Sequence, residues 1–455
     1  MPTNLTPHTL IYGFTPAGDP DVSPDGSRLL YTLARTDAES KKSLSQVWVC
    51  DIDGTNARQL TSAGERNRGA RWSPDGTQIA FVSDRVEASG LFVLPMTGGE
   101  ARELARHPTG ISDLAWSPDA SKIAYTAVVD PLNPTGTKLA DGAAPPVRVT
   151  SRIDYKQDNR GYLNDTRTQV FAADVAAGGH VQLTTEAVDH RSPAWSPDGK
   201  TLAIGVSTNN GMTSRLLLLG VADATATWVG PEDGNIGTWA WSPDGSRIAY
   251  TGDPDHTYQS DVFLYDVASK ETRRVTTDLP CAPYAGFPTL EPASMPVWLD
   301  DHTILFHANF RAASGLWTVD LESGAVTQEE GTESLRVGFS TDRANRYVAQ
   351  GMASLDAIGE IIVIDREAGT SRVVTSMSAP VFAESPVAAW ERFDVRRGEF
   401  VTEAWMLKPP GFDPAKNYPV ILDVHGGPNG FYGYAFNAMQ QLLASNGYIV
   451  LFSNP

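Results

Sequence analysis

Cysteine is nearly absent: Cys50 and Cys281 are the only two in 455 residues. Two thiols so far apart cannot frame a disulfide scaffold, and they lack the paired spacing of a zinc site, so a reducing compartment, the cytoplasm, is expected and no metal. Positive charge is short as well. Thirty-six Lys and Arg stand against 54 Asp and Glu, a net charge of −18. Such a surface repels phosphate backbones and anionic lipid, which argues against nucleic acid and membrane partners and otherwise serves solubility. No segment is long and apolar enough to span a bilayer. Met1 to Leu10 show no basic start followed by an apolar run, so no signal peptide is expected. With 41% hydrophobic and 20% charged residues the chain has a globular composition. Its length exceeds one ordinary core, which predicts two domains or one large repetitive one.

A repeat is present. DVSPDGSRLLY from Asp21, RWSPDGTQIAF from Arg71, AWSPDASKIAY from Ala115, AWSPDGKTLAI from Ala194 and AWSPDGSRIAY from Ala240 are versions of one text, with weaker relatives from Val297 and Gly338. The serine positions, with Leu299 standing in once, are separated by 50, 44, 79, 46, 57 and 41 residues. Each copy is predicted to be a hairpin in which an apolar strand ends at Trp, Ser-Pro-Asp-Gly reverses the chain, and an alternating strand leaves. Pro presets φ, Asp bonds local N–H groups and Gly accepts a positive φ. A second strand pair follows, as in GLFVLPM, Gly98-Gly99 and ARELA. The apolar period of two excludes a stack of helical repeats.

Seven such four-stranded units predict an all-β, seven-bladed propeller over residues 19–375, after an amino-terminal segment 1–18. Trp72, Trp116, Trp195 and Trp241 recur with the blade and are therefore core. The long third interval holds an insertion, Val128 to Thr168, whose second half carries Arg148, Arg152, Lys156, Arg160 and Arg167. Arg152 and Arg160 are the candidates for binding a substrate carboxylate, which a guanidinium fits by its fork. The interleaved Asp154, Asp158 and Asp165 support instead a self-neutralising, solvated hairpin.

After a linker, 376–390, the grammar changes. Strands are expected at Glu391 to Arg396 and Val401 to Lys408, then a strand buried on both faces at Pro419 to Val424. A helix with apolar Ala435, Phe436, Met439, Leu442 and Leu443 should stop at Asn446-Gly447, before a strand from Tyr448 to Phe452. Strand, helix, strand implies a parallel pair and the first strands and helix of an α/β-hydrolase domain, residues 391–455. His425, Gly426 and Gly427 lie at the carboxyl end of the first of these strands, where open α/β sheets bind ligands and where an oxyanion loop is expected.

The SPDG propeller followed by KPPGFDPAKNYPVILDVHGGP resembles the prolyl oligopeptidase family of serine peptidases, and especially its acylaminoacyl-peptidase-like branch. The likeness covers essentially the whole chain and includes Arg152 to Phe171. It implies a serine nucleophile, a histidine proton shuttle and an orienting aspartate that act through an acyl-enzyme, without a cofactor. It also implies a propeller that caps the site and admits short or unfolded peptides. The main-chain N–H of Gly427 or Gly426 would hold the oxyanion. His425 takes the place of a tyrosine found in some relatives and would be positional. No serine sits in a G-x-S-x-G frame. The triad is therefore expected beyond Pro455, in a further segment of roughly 200 residues. That segment is the first expected partner, and the chain alone is expected to be inactive.

Other candidates are weaker. His302 and His307 are expected to pack in a strand, Asp253, Asp255 and His256 to form a turn, and Glu384, Glu391 and Asp394 to be solvated. Short peptides, N-acylated ones foremost, are the expected substrates, with a dipeptidyl peptidase or carboxypeptidase as alternatives and a homo-oligomer admitted. A reading from another class is a noncatalytic propeller scaffold that binds a protein partner.

Overall fold

A computed structural model describes residues 4–137, 140–144, 147–150, 152–157, 161–257, 259–283, 294–331, 333–426 and 430–454. Seven antiparallel four-stranded sheets follow one another at 17–59, 67–107, 111–182, 190–229, 235–274, 297–331 and 335–373. Apolar clusters join each sheet to the next. Leu30 and Val49 of blade 1 pack with Ala70 and Phe81 of blade 2, and Leu305 and Leu316 of blade 6 with Val348 and Ile364 of blade 7. Ala349 and Ile361 of blade 7 meet Val22 and Leu29 of blade 1, which closes the ring. Each blade takes its four strands from one stretch of chain, interrupted by a separate hairpin only in blade 3, and blades 1 and 7 exchange none.

The turn chemistry explains the repeat. In blade 2 Ser73 Oγ donates to Asp75 Oδ1 at 2.5 Å, which also accepts from the Thr77 N–H at 3.0 Å, while Gly76 takes φ +70°. In the third copy Ala120 stands in for the glycine and holds φ +58°, a conformation that costs a residue with a Cβ. The strand leaving each turn does not alternate as the sequence led us to expect. From Ile79 to Ser83 every residue is buried, because neighbouring blades cover both faces of the sheet.

The insertion joins the second strand of blade 3, Lys122–Val129, to the third, Arg167–Asp174, and carries a short hairpin of Lys156–Gln157 with Gly161–Tyr162. After blade 7 the chain forms a mixed sheet in the order Ala389–Arg397, Phe400–Lys408, Ile449–Asn454, Val420–Asp423. The last two strands are parallel, as expected. Two expectations need correction. The strand Val420–Asp423 is an edge strand with one open face, Val420 being 57% and Leu422 65% exposed. An apolar run reports what a strand can bury, not which neighbours cover it. The helix is Ala438–Ser445, capped by Asn437, and it buries Gln440, Gln441, Ala444 and Ser445 while Met439 lies exposed. The glutamines are buried because both have partners: Gln441 accepts from the Ala388 N–H at 2.9 Å and donates to Leu355 O at 2.8 Å.

This sheet rests on the ring. Ala312 and Leu355, in the turns between the second and third strands of blades 6 and 7, pack with Trp405, Tyr434, Ala444 and Phe452. The Tyr434 N–H donates to Ala312 O at 3.0 Å. The second body therefore covers the face opposite the SPDG turns. The amino-terminal segment joins it there, with the Leu5 N–H on Ser445 Oγ at 2.7 Å and Phe14 against Phe382 and Phe436.

Candidate functional site

Val424, His425 and Gly426 leave the strand Val420–Asp423 at its carboxyl end, and Gly430 to Tyr434 pass the end of the parallel neighbour before the helix Ala438–Ser445 begins. Gly427 falls outside the described residues. The loop is folded tightly: a Cβ on Gly430 would stand 2.1 Å from Gly426 O, which leaves room there for glycine alone. His425 Nδ1 is 3.0 Å from Gly426 O, a contact that places the ring proton on Nδ1 as donor. The ring meets Tyr432 edge-on at 5.3 Å.

Three groups that the sequence did not single out hold this loop. Asn454, at the end of the neighbouring strand, accepts from the Tyr432 N–H at 2.7 Å and donates to Tyr432 O at 2.8 Å. Burial first and the nearby Asp423 carboxylate second raise the pKa of the Tyr432 hydroxyl. Gln440 donates to Asp423 Oδ2 at 2.8 Å. The helix and both parallel strands thus converge on the residues either side of this loop, at the carboxyl ends of the strands, where open sheets bind ligands. Asn454 lies 29 residues from His425 in sequence, and nothing local marks it.

The insertion behaves differently. The Arg152 side chain is 2% exposed. It donates to Asp154 at 2.7 and 2.5 Å, to Asp189 at 3.0 Å and to Thr166 O at 2.8 Å. The guanidinium holds the Asp154 carboxyl below its usual range through those hydrogen bonds. Arg148 grips Asp130 with two bonds of 3.0 and 2.7 Å. Lys156 lies over the Tyr162 ring. Arg160 falls outside the described residues.

The remaining candidates are accounted for by packing and pairing. Burial pushes the buried His307 down to about 4, and its Nε2 sits 3.0 Å from Arg336 O. His302 is 3.2 Å from Glu322, and Asp255 is 3.3 Å from Arg274. Glu391 pairs with Lys408 and Asp394 with Arg392. Burial raises the Cys50 thiol to about 11 and Cys281 to about 12, which makes both poor nucleophiles. Among the described residues no helix is long and apolar enough to cross a membrane.

Comparison with known proteins agrees with this architecture. Residues 13–135 match the model of the TolB beta propeller domain. The chain is 26% identical to an uncharacterized peptidase of Bacillus subtilis, YuxL, over 96% of its own length and 68% of the relative's. It is 24% identical to dipeptidyl-peptidase 5 of Porphyromonas gingivalis over 99% of itself and 68% of that protein. Among solved structures, an uncomplexed Pyrococcus horikoshii acylaminoacyl peptidase superposes with a TM-score of 0.75 at 19% identity, covering 98% of this chain and 66% of that one. The chain thus spans about two thirds of the length of these relatives.

Proposed function

We propose, on the premise that this chain is a member of the prolyl oligopeptidase family of serine peptidases, that it supplies the substrate-admitting propeller and the oxyanion loop of a peptidase. That enzyme hydrolyses short peptides through an acyl-enzyme. The observation that carries the reading is the loop from His425, fixed at the carboxyl ends of two parallel strands by Asn454, Tyr432 and Asp423. An exposed main chain at that position can donate N–H groups to a developing oxyanion, and such donors contribute most when the surrounding bonds hold them rigid. The two parallel strands and their helix are the start of an α/β-hydrolase sheet. The open face of Val420 and Leu422 supports that reading, since such a sheet is normally covered on both sides.

Gly427 or its neighbour Gly426 supplies the main-chain oxyanion donor in this reading, and His425 is positional. In this reading the catalytic serine is not among residues 1–455, where no serine sits in a G-x-S-x-G frame. Release of an N-acylated residue and release of a dipeptide are both within reach of the fold, and the match to dipeptidyl-peptidase 5 along nearly the whole chain favours the dipeptide. The expected outcome of treatment with a fluorophosphonate probe is labelling of the complete protein and none of residues 1–455 alone. Failure to label the complete, folded protein would count against the peptidase and for a noncatalytic propeller scaffold.

A further inference from the structure

Between blades 2 and 3 the ring holds a cavity of about 530 Å³, on the face that carries the second body. Its walls come from the first residues of the innermost strand of blade 2, from the following turn at 83–89, and from the connection into blade 3 at 108–110. Two arginines reach it, Arg66 and Arg68, and their environments differ. Arg66 is matched by Asp84, 3.2 Å from its Nε. Among the described residues no carboxylate pairs with Arg68, whose hydrogen bond is a long one of 3.4 Å to Ile111 O. The other arginines of the innermost strands are occupied or enclosed. Arg71 pairs with Asp19 at 2.8 Å, Arg191 donates to Gly237 O and Ile236 O, and Arg336 is buried. Arg68 is exposed and leaves the cavity one positive charge in excess, in a protein whose net charge is −18.

Val82, Val86 and Pro108 give the same cavity an apolar wall beside the free guanidinium. The base of the insertion closes one rim. Thr109 Oγ1 donates to Val128 O, and a Cβ on Gly136 would lie 2.0 Å from Pro108 Cβ. A guanidinium without a counterion, next to an apolar surface in a concave site, matches a carboxylate that carries a modest apolar group. We infer that Arg68 binds the free carboxyl terminus of a short peptide. This names a specificity-determining residue and rests on the peptidase reading above, which it deepens. The insertion then acts as a wall of the subsite, with Arg152 as its anchor rather than as a ligand to substrate.

Titration calorimetry of this chain with hippurate and with hippuramide, which differ only in the carboxylate, tests the inference without any turnover. Hippurate should bind, hippuramide should bind at least about tenfold more weakly, and Arg68→Gln should remove the difference. In the complete enzyme the same substitution should raise KM for free-acid peptides about tenfold to a hundredfold while leaving their amides unchanged. Absence of hippurate binding to the native chain, or equal binding by native and Arg68→Gln protein, overturns the assignment. Failure of the complete protein to take up a fluorophosphonate overturns the peptidase reading and leaves the hippurate result standing.

Discussion

Trp72, Trp116, Trp195, Trp241 and Trp298 each donate an indole N–H to a carbonyl of the preceding blade, at 3.0 to 3.2 Å. Sequence periodicity marks four of these side chains as core. It cannot show the hydrogen bond, because each acceptor lies 45 to 80 residues away. Asp21 is a second such case. It lies just before the first SPDG and reads there as a turn-flanking acid, yet its Oδ2 accepts the main-chain N–H of Trp72 at 2.8 Å across the seam between blades 1 and 2. Burial raises its pKa to about 6, against the pull of Arg71. A carboxyl raised in the folded state loses stability for the fold as pH climbs from about 4, where the unfolded chain ionises, to about 6, and nothing further changes above that. Asp21→Asn should therefore match the native protein at pH 4 and exceed it by on the order of 2 kcal/mol at pH 7. Thermal midpoints at the two pH values measure this, and an equal difference at both would contradict the assigned shift.

Among elements, the SPDG turns were legible because Pro, Asp and Gly each act within five residues of the turn, whereas the strand that leaves each turn was legible as a strand but not in its two-sided burial, which neighbouring blades impose. The insertion was only half legible. Its charge pattern announced internal pairing, but the decisive acceptor for Arg152 is Asp189, 37 residues on, near the start of blade 4. Arg152 thus ties the insertion to the ring. Arg152→Ala should leave the melting of the ring nearly unchanged and release the insertion. Limited proteolysis followed by mass measurement should show cleavage within 147–166 at least several-fold faster than in the native chain. An unchanged cleavage rate would mean that the hairpin is held by other contacts. The Pro419–Val424 run and the following helix were legible as elements but not in their burial, since the partners of Gln440 and Gln441 are set by tertiary contacts.

At the scale of the molecule, two bodies meet through one apolar cluster and a few directed bonds, of which Gln441 makes two. Gln441→Leu keeps the volume but leaves Leu355 O and the Ala388 N–H without partners, at a cost of about 2 kcal/mol. Hydrogen exchange should speed up in 389–408 and 438–454 while the blades keep their protection. Faster exchange throughout the ring would show that the two bodies unfold together. The ring itself is built from blades that each fold from one unbroken stretch of chain, and blade 7 meets blade 1 through side chains and isolated bonds such as the Val22 N–H on Ser340 Oγ at 2.9 Å. Heredity can therefore treat a blade as a cassette: a duplication or deletion of the stretch of coding sequence for one blade adds or removes it whole without rethreading any other.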